Sequence, residues 1–404
     1  MAREVDSGTA IVGSTLPFGL PTLAMRNLGL DLLRLVAILL VLGRHLHLAP
    51  DTNSLIQLWH RGGWIGVDLF FVLSGFLVSG LLFGEYQRTQ SLDLKRFLFR
   101  RGFKIYPAFY VMILATIGVN LLTGHPMTSR AMVAEVLFVQ NYLGGLWEHT
   151  WSLAVEEHFY FGIAVLCFLV LRAKTRGQAD GDPFRVIPLV FVATALLCQG
   201  FRIANLFIFE HYSNRWFLFG THLRIDSLMF GVLLSYLWHF RDLGARIDKF
   251  PTTAILAIGI LLLSPAFVFE LEQFKFVPVF GVVSCYLGSG FMVLAALRLK
   301  GSPNRLAVIL GSLGAASYSI YLWHMPVMTW GWAWFSKIST VQGFPWYLAF
   351  CVVASLTFGW VMSKLIEWPV LRIRDRWFPS HGNRAKSNPS TETPETDPGA
   401  VAGQ

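Results

Sequence analysis

Charged residues are scarce in this sequence. Asp, Glu, Lys and Arg make up 14% of its 404 residues, whereas soluble domains carry about 25%. Hydrophobic residues make up 54%, and the mean hydropathy is +0.53. A chain with so little charge cannot cover a folded surface with polar groups, which excludes a soluble globular protein. Apolar stretches of about 20 residues, long enough to cross a bilayer, recur along the chain and indicate a polytopic membrane protein.

Cysteine is also rare, and some catalytic motifs are missing. The four cysteines all lie in apolar stretches and none are paired at metal-ligand spacing, so we expect neither a disulfide framework nor a metal site. The sequence has no Gly-x-Ser-x-Gly motif, which argues against a covalent serine intermediate. The net charge is +9. In a membrane protein the position of the charges along the chain matters more than their sum, so we expect no nucleic-acid partner.

The hydropathy pattern predicts an all-α fold of about ten transmembrane helices around a central polar cavity. Residues 131–143 are apolar but too short to cross, so an interfacial or re-entrant segment is expected there. We expect a flexible N-terminal arm over 1–27, a membrane domain over 28–372 and a disordered cytoplasmic tail over 373–404. The predicted spans are 28–48, 63–83, 105–122, 151–170, 186–208, 217–239, 252–269, 276–297, 306–329 and 346–370.

The distribution of positive charge predicts the orientation of these spans. With a cytoplasmic N-terminus, 23 of the 33 Lys and Arg residues fall in cytoplasmic segments, five in outward segments and five within spans. Cytoplasmic loops of membrane proteins carry such an excess of Lys and Arg. An even number of spans places both termini in the cytoplasm, and the chain is predicted to be a multi-pass protein of the cell (inner or plasma) membrane.

The first span, "LRLVAILLVLGRHLHL", carries ionisable groups that are costly in lipid. Arg34 and His45 are eleven residues apart, so a helix places them within about 20° of one face and about 16 Å apart along its axis. Asp31 shares that face and is expected to pair with Arg34. Arg34 is expected in the inner half and His45 in the outer half. Arg44 and His47 are expected to be structural or interfacial, and His47 points about 200° away from His45.

Other spans also carry polar groups into the membrane. Because lipid exposure of all of them is implausible, we expect them to converge on one polar cavity. These predicted cavity residues are Asp68, Glu156, Glu157, Arg224, Asp226, Tyr321 and His324.

The segment "KRFLFRRGFKIYP" places basic residues at the start of the third span. Arg101 and Lys104 are one helical turn apart at the apolar boundary, with Arg100 beside them. These three cations could receive an anionic ligand, such as a nucleotide phosphate, from the cytoplasm. For Lys95 and Arg96 we favour a topogenic role and contact with anionic lipid.

These motifs together resemble the membrane acyltransferase 3 family, integral-membrane enzymes that O-acylate sugars, polysaccharides and some antibiotics. The resemblance runs from about Gly29 to Arg372. Its carriers, besides the Arg-x10-His pair of Arg34 and His45, are "GVDLFFVLSGFL", "RRGFKIYP", "WSLAVEEHFY" and "SYSIYLWHMPV". The chain departs from the family pattern at Lys104, where the family usually has Arg, and at His158, where it usually has Gln. Lysine keeps the charge but loses bidentate geometry.

The resemblance implies an O-acyltransferase that uses acyl-CoA, most simply acetyl-CoA, as co-substrate and holds no permanent cofactor. In this interpretation His45 is the general base, and Arg34 and Asp31 order the first span. Arg100, Arg101 and Lys104 hold the donor phosphates. The expected partners are acyl-CoA, membrane lipid and a hydroxylated acceptor, with a cell-surface polysaccharide or its precursor as the first choice.

Several alternatives stay open at the level of sequence. The acceptor could be a macrolide-type secondary metabolite, and the acyl group could pass through a covalent acyl-His45 instead of directly. A secondary transporter is the rival from a different class, because charged groups in a cavity also suit a solute pathway. Against transport, the sequence shows no internal repeat and no pair of matching Gly- or Pro-broken helices.

Overall fold

The computed structural model describes residues 27–49, 52–175, 182–299, 304–338 and 343–379, and every regular element within those ranges is helical. The α-helices are α1 (Leu28–Arg44), α2 (Ser54–Gly62), α3 (Ile65–Thr89), α4 (Leu94–Thr123), α5 (Ser129–Val136), α6 (Gln140–Leu143), α7 (Trp151–Thr175), α8 (Ile187–Ile208), α9 (Thr221–Phe240), α10 (Leu243–Ile247), α11 (Thr252–Leu263), α12 (Pro265–Val268), α13 (Val282–Leu297), α14 (Arg305–Ala315), α15 (Ser317–Pro326), α16 (Trp332–Ile338), α17 (Phe344–Met362) and α18 (Trp368–Trp377). Short 3₁₀ segments lie at Glu148–Thr150 and Pro183–Val186, and π-helical segments at Arg215–Phe219, Val277–Gly281, Val327–Gly331 and Ser363–Glu367.

The helix lengths describe a multi-pass membrane protein. In the described part of the chain, six helices are long and apolar enough to cross a bilayer. A seventh results if the pair Arg305–Ala315 and Ser317–Ile338, bent by 65°, is taken as one span. Each of the ten predicted spans overlaps helical structure, but the number ten and the cytoplasmic placement of both termini stay predictions. Residues 131–143 form only the short helices α5 and α6, in agreement with their being too short to cross.

The outer faces of the long helices are apolar. Leu122 is 89% exposed, Phe207 is 85% exposed and Leu261 is 70% exposed. Water would not tolerate large apolar side chains across most of a protein's circumference, whereas lipid matches them. The polar and charged side chains lie mainly inside the bundle or at its two ends, which fits the expectation that they avoid lipid.

Glycines allow the helices that carry the site to approach closely. Gly75 of α3 faces α9, where a Cβ atom would overlap the carbonyl oxygen of Leu228. Gly314 of α14 faces α1, where a Cβ atom would overlap the carbonyl oxygen of Asp31. Small residues at such contacts are the usual basis of helix packing in membranes. The position of α1, which carries Asp31, Arg34 and His45, is therefore set by backbone contact with α14.

Helix α1 is shorter than its predicted span. The side chain of Asn27 accepts a hydrogen bond from the Leu30 backbone N–H (3.2 Å) and caps the helix at its start, and His45 is the C-terminal cap residue. The helix ends at Arg44 because the chain turns there toward α2. His47 therefore lies beyond the helix, and the predicted angle between it and His45 does not apply.

The C-terminal end of the described chain extends further than predicted. After α17 the π-helical segment Ser363–Glu367 leads into α18, which continues to Trp377. The predicted domain boundary at residue 372 therefore falls inside a helix. Residues 380–404 and 1–26, which include most of the predicted tail and arm, lie outside the described residues.

Candidate active site

A cavity of about 520 Å³ lies between α1, α3, α4, α7, α15 and α18. Its lining is strongly cationic, because seven of the described side chains around it are Lys or Arg and two, Glu85 and Glu156, are acidic. The cationic lining residues are Arg34, Arg88, Arg96, Arg100, Arg101, Lys104 and Arg374. We call this space the cationic cavity. Most of its cations lie on segments predicted to face the cytoplasm.

The cationic cavity brings together the four cations that the sequence singled out. Arg34 reaches it from α1, and Arg100, Arg101 and Lys104 reach it from α4. Arg34 forms the predicted ion pair with Asp31. Arg96, for which the sequence favoured a topogenic role and lipid contact, also lines the cavity.

A polar network continues from these cations into the bundle. The guanidinium of Arg101 lies 5.6 Å from the centre of the Tyr160 ring. The Tyr160 hydroxyl donates to Glu156 Oε2 (3.0 Å) and lies 3.0 Å from Ser74 Oγ. Glu156 therefore lines the cavity as predicted. Its carboxylate is held by Tyr160 and directed toward the Arg101 side of the cavity.

A second, smaller cavity of about 70 Å³ lies beyond the cationic cavity. Val67 and Tyr321 line both cavities, so the wall between them at that point is one layer of side chains. His45 lines the smaller cavity. Its other polar lining residues are Arg44, Glu148, His149, Asn214 and Arg224, and its aromatic ones are Trp64, Trp151, Phe219 and Tyr321. Arg34, near the middle of α1, and His45, at its C-terminal cap, therefore line different cavities.

Three imidazoles cluster beside this wall. The His45 ring lies 4.9 Å from the His324 ring, and the His324 ring lies 4.8 Å from the His149 ring, measured between centroids. The Tyr321 ring lies 5.5 Å from the His324 ring and 5.6 Å from the His149 ring. The Tyr321 hydroxyl donates to the His149 carbonyl oxygen (2.7 Å). No group of three or more His, Cys, Asp or Glu residues in the described ranges is arranged to hold a metal ion. The cluster is therefore an arrangement of hydrogen-bonding rings.

Backbone carbonyls fix which nitrogen of each ring carries a proton. His45 Nδ1 lies 2.9 Å from the Val41 carbonyl oxygen and His149 Nε2 lies 3.2 Å from that of Leu322. His324 Nδ1 is bonded to the Tyr321 carbonyl oxygen. A carbonyl only accepts, so each of these nitrogens donates, and the other nitrogen of a neutral ring keeps its lone pair. For His45 that nitrogen is Nε2. His149 Nδ1 and His324 Nε2 are buried and have no hydrogen-bond partner among the described residues.

Several predicted cavity residues instead form buried ion pairs between helices. Arg224 Nη2 donates to Asp68 Oδ1 (2.7 Å), and Arg202 pairs with Asp226. All four side chains are at most 1% exposed. Of these residues Arg224 lines the smaller cavity, whereas Asp68 and Asp226 line neither of the two cavities, so the predicted position of these two carboxylates needs correction. Their carboxylates are turned into the contact between α3, α8 and α9, where they neutralise the two guanidinium groups.

Two further predictions need correction. Glu157 lines neither cavity, because its side chain points to α4 and accepts from the Tyr106 hydroxyl (3.1 Å). His324 is fully buried behind His45 and does not line either cavity. Tyr321 lines both cavities, whereas the sequence predicted a single cavity.

The two other polar residues of the first span lie outside this arrangement or at its edge. His47 is exposed and bonds the Tyr347 hydroxyl, and Arg44 pairs with Glu272 beside the smaller cavity.

The sequence analysis missed His149, Arg88 and Arg374. His149 lies in the 3₁₀ segment before α7, outside every predicted span. Only ionisable residues within the predicted spans were candidates for the cavity, so His149 was not among them. A signal was present nonetheless, because His149 lies two residues before the "WSLAVEEHFY" motif. Arg88 and Arg374 lie at helix ends, where single cations are too common to be distinctive.

Sequence comparison places this geometry in a known family. The profile of the acyltransferase domain of the acyltransferase 3 family matches residues 27–364, which include both cavities and all of their lining residues except Arg374. The chain belongs to the acyltransferase 3 family. No solved structure is significantly similar to this chain.

Relatives of this chain carry O-acetyltransferase names. The chain is 29% identical over 332 residues to O-acetyltransferase OatA of Staphylococcus aureus strain NCTC 8325, covering 74% of this chain and 50% of OatA. It is 27% identical over 372 residues to "Putative O-acetyltransferase SACOL0978" of Staphylococcus aureus strain COL, covering 84% of this chain and 56% of that protein. The chain thus spans about half the length of the curated relatives it matches.

A buried carboxylate supports the loop that carries His149. Glu135 of α5 is 0% exposed. Its Oε1 accepts from the Leu146 N–H (2.9 Å) and from the Thr150 hydroxyl (3.0 Å). Burial raises the pKa of Glu135 to about 7, although its hydrogen bonds act in the opposite direction. The sequence analysis did not single out this residue.

Replacing Glu135 with glutamine is expected to remove a pH dependence of stability. Since the folded state holds the Glu135 proton up to about pH 7 and the unfolded chain releases it near 4.5, unfolding releases a proton between these values. Stability therefore falls as pH rises through this window, by at most about 3 kcal/mol. Melting temperatures of Glu135→Gln and wild type in detergent should be similar near pH 4.5 and diverge up to pH 7.5, with the wild type lower. Parallel curves would contradict this assignment.

Proposed function

We propose that the protein is an O-acyltransferase that moves an acyl group, acetyl in the first instance, from acyl-CoA to a hydroxyl of a carbohydrate acceptor. The observation that carries the proposal is the pair of cavities that share Val67 and Tyr321 as a wall. One cavity is lined by cations and the other by His45. In such an arrangement an anionic donor and a hydroxylated acceptor can meet at one point while entering from different ends of the bundle.

The cationic cavity suits the donor. Acyl-CoA carries several phosphate charges on its nucleotide and a neutral arm that ends in the thioester. Arginine groups bind phosphate through charge-assisted, often bidentate hydrogen bonds. Arg100, Arg101 and Lys104 would hold the phosphates, and the arm would extend past Glu156 toward Tyr321. A cavity of about 520 Å³ lies in the size range of small-molecule sites.

His45 would act as the general base. Its Nδ1 donates to the Val41 carbonyl oxygen, which leaves the Nε2 lone pair available to a ligand in the smaller cavity. In the proposed step Nε2 takes the proton of the acceptor hydroxyl as the oxygen attacks the thioester carbonyl. The carbon–sulfur bond then breaks, and the CoA thiolate leaves and takes the proton from His45 Nε2, which restores the neutral imidazole. The acyl group passes directly to the acceptor, without an acyl-enzyme.

The smaller cavity suits a hydroxylated acceptor. Trp64 and Trp151 offer apolar ring faces, and Glu148 and Asn214 offer hydrogen-bonding groups. A cell-surface polysaccharide or its precursor in the plasma or inner membrane presents both kinds of surface. The names of the relatives support O-acetylation. A macrolide-type metabolite is the alternative acceptor that product identification would reveal.

The proposal is tested with membranes that contain the protein and acetyl-CoA labelled in its acetyl group. Acyl transfer predicts that free CoA thiol is released only when acceptor is present and that label accumulates in an extractable product, whose analysis identifies the acceptor. A transporter would instead move solute without consuming acetyl-CoA. Acceptor-independent thiol release, or solute uptake with no thiol release, would overturn the proposal. Hydroxylamine-labile label on the protein with donor alone would overturn direct transfer.

A further inference from the structure

The last described helix forms part of the cationic cavity. Arg374 of α18 lines this cavity together with side chains of α3 and α4. The match to the family profile ends at residue 364, so α18 lies outside the matched residues. The sequence analysis assigned residues from 373 onward to a tail.

Aromatic contacts fix α18 to the start of α4. The Phe378 ring stacks on the Phe99 ring with 5.5 Å between centroids and an angle of 9°. Phe103 contacts Phe378 at 5.8 Å and Trp377 at 6.1 Å. Arg100 donates to the Phe378 carbonyl oxygen. The helix is thus held at the mouth of the cavity by side chains on both sides of Arg100.

One carboxylate bridges two cations at this mouth. Asp375 Oδ1 lies 3.0 Å from Arg100 Nη2, and it accepts from Arg374 Nη2 (2.8 Å) and Nε (3.0 Å). Both guanidinium groups line the cationic cavity. The Arg374 side chain is 17% exposed and the Arg100 side chain is 24% exposed, whereas the Asp375 side chain is 49% exposed. The same two groups, facing one anionic oxygen, would bind a phosphate with the same kind of hydrogen bonds.

We propose that Arg374 binds a phosphate of the acyl donor together with Arg100, and that this phosphate displaces Asp375 from between them. The inference rests on the proposed function, since it takes acyl-CoA as the donor. Asp375 keeps the two guanidinium groups apart and oriented while the cavity holds no donor. Its partial exposure lets the carboxylate turn to solvent when the phosphate arrives.

The test compares two donors, because a structural role of Arg374 would affect both. Acetyl-CoA carries the phosphates and S-acetylpantetheine has none. Arg374→Ala is expected to lower kcat/KM for acetyl-CoA by about ten- to hundred-fold, the range of one lost hydrogen bond to a charged group, through a higher KM. The value for S-acetylpantetheine should not change. Arg374→Lys should recover part of the loss, and Arg376→Ala, an exposed position on the same helix, should match the wild type with both donors.

Asp375→Asn tests the displacement. Removing the competing carboxylate is expected to lower the KM for acetyl-CoA several-fold and to leave S-acetylpantetheine unaffected. An equal loss with both donors in Arg374→Ala, or no loss with either, would overturn phosphate binding, and a higher KM in Asp375→Asn would overturn displacement. Wild-type turnover of acetyl-CoA is the reference. If the wild type does not turn over acetyl-CoA, the proposed function is wrong. If the wild type does so but the Arg374 and Asp375 variants do not behave as expected, only this inference is wrong.

Discussion

Replacing His45 with alanine is expected to lower the turnover number for acyl transfer by about 10²- to 10⁴-fold, the usual contribution of a general base. The imidazole lines the smaller cavity and has a lone pair on Nε2, because Nδ1 is occupied by the Val41 carbonyl oxygen. Alanine leaves the acceptor hydroxyl without a proton acceptor at that point. The measurement is the initial rate of label transfer from acetyl-CoA at saturating donor and acceptor.

His47 provides the matched control for His45. It lies two residues further along, is exposed and lines neither cavity. His47→Ala should retain the wild-type turnover number, and melting temperatures in detergent should show that both variants are folded. Full label transfer by a folded His45→Ala protein would refute the role of His45 as base.

Replacing Asp68 with alanine is expected to destabilise the protein by about 3–5 kcal/mol, the usual cost of removing one partner of a buried ion pair. Arg224 is 1% exposed and its Nη2 donates to Asp68, so the variant leaves a guanidinium in the bundle without its neutralising carboxylate. The Phe71 and Trp151 rings, 5.6 and 5.7 Å from the Arg224 guanidinium carbon, cannot replace a carboxylate. A large drop in melting temperature, measured in detergent, is the expected result.

Two comparisons isolate the buried charge as the cause. Glu270→Ala removes the partner of Arg61 from an ion pair that is 29% and 36% exposed, and should cost no more than about 1 kcal/mol. The double variant Asp68→Leu with Arg224→Met removes both charges and should recover most of the stability lost in Asp68→Ala. If Asp68→Ala melts no lower than Glu270→Ala, the pair is not essential to the packing of α3 on α9.

The sequence predicted the parts of the site that follow from local helix geometry. Arg34 and His45 lie about three turns apart along α1 and its C-terminal cap, and Arg101 and Lys104 lie one turn apart on α4, because spacing along a single helix is fixed by its rise and twist. The pairing of Asp31 with Arg34 follows from the same rule. Helix α1 nevertheless ends at Arg44, so the rule failed for His47, which lies past the end.

Contacts between helices could not be predicted in this way. The cost of burying Asp68 and Asp226 indicated that these carboxylates avoid lipid, but a cavity and an ion pair satisfy that requirement equally well. Only the packing of α3, α8 and α9 decides that each meets an arginine. His149 and Arg374 illustrate the same limit, since neither lies within a predicted span and both join the site through tertiary contacts.

The sidedness of the reaction tests the central claim, that donor and acceptor enter from opposite ends of the bundle and meet at Val67 and Tyr321. The measurement uses sealed inside-out vesicles with labelled acetyl-CoA outside and a membrane-impermeant acceptor either inside or outside, and leaky vesicles as the control. The account predicts labelled acceptor only when it is enclosed in the lumen, and equal labelling once the vesicles are made leaky. Labelling of acceptor only on the same side as acetyl-CoA would contradict it.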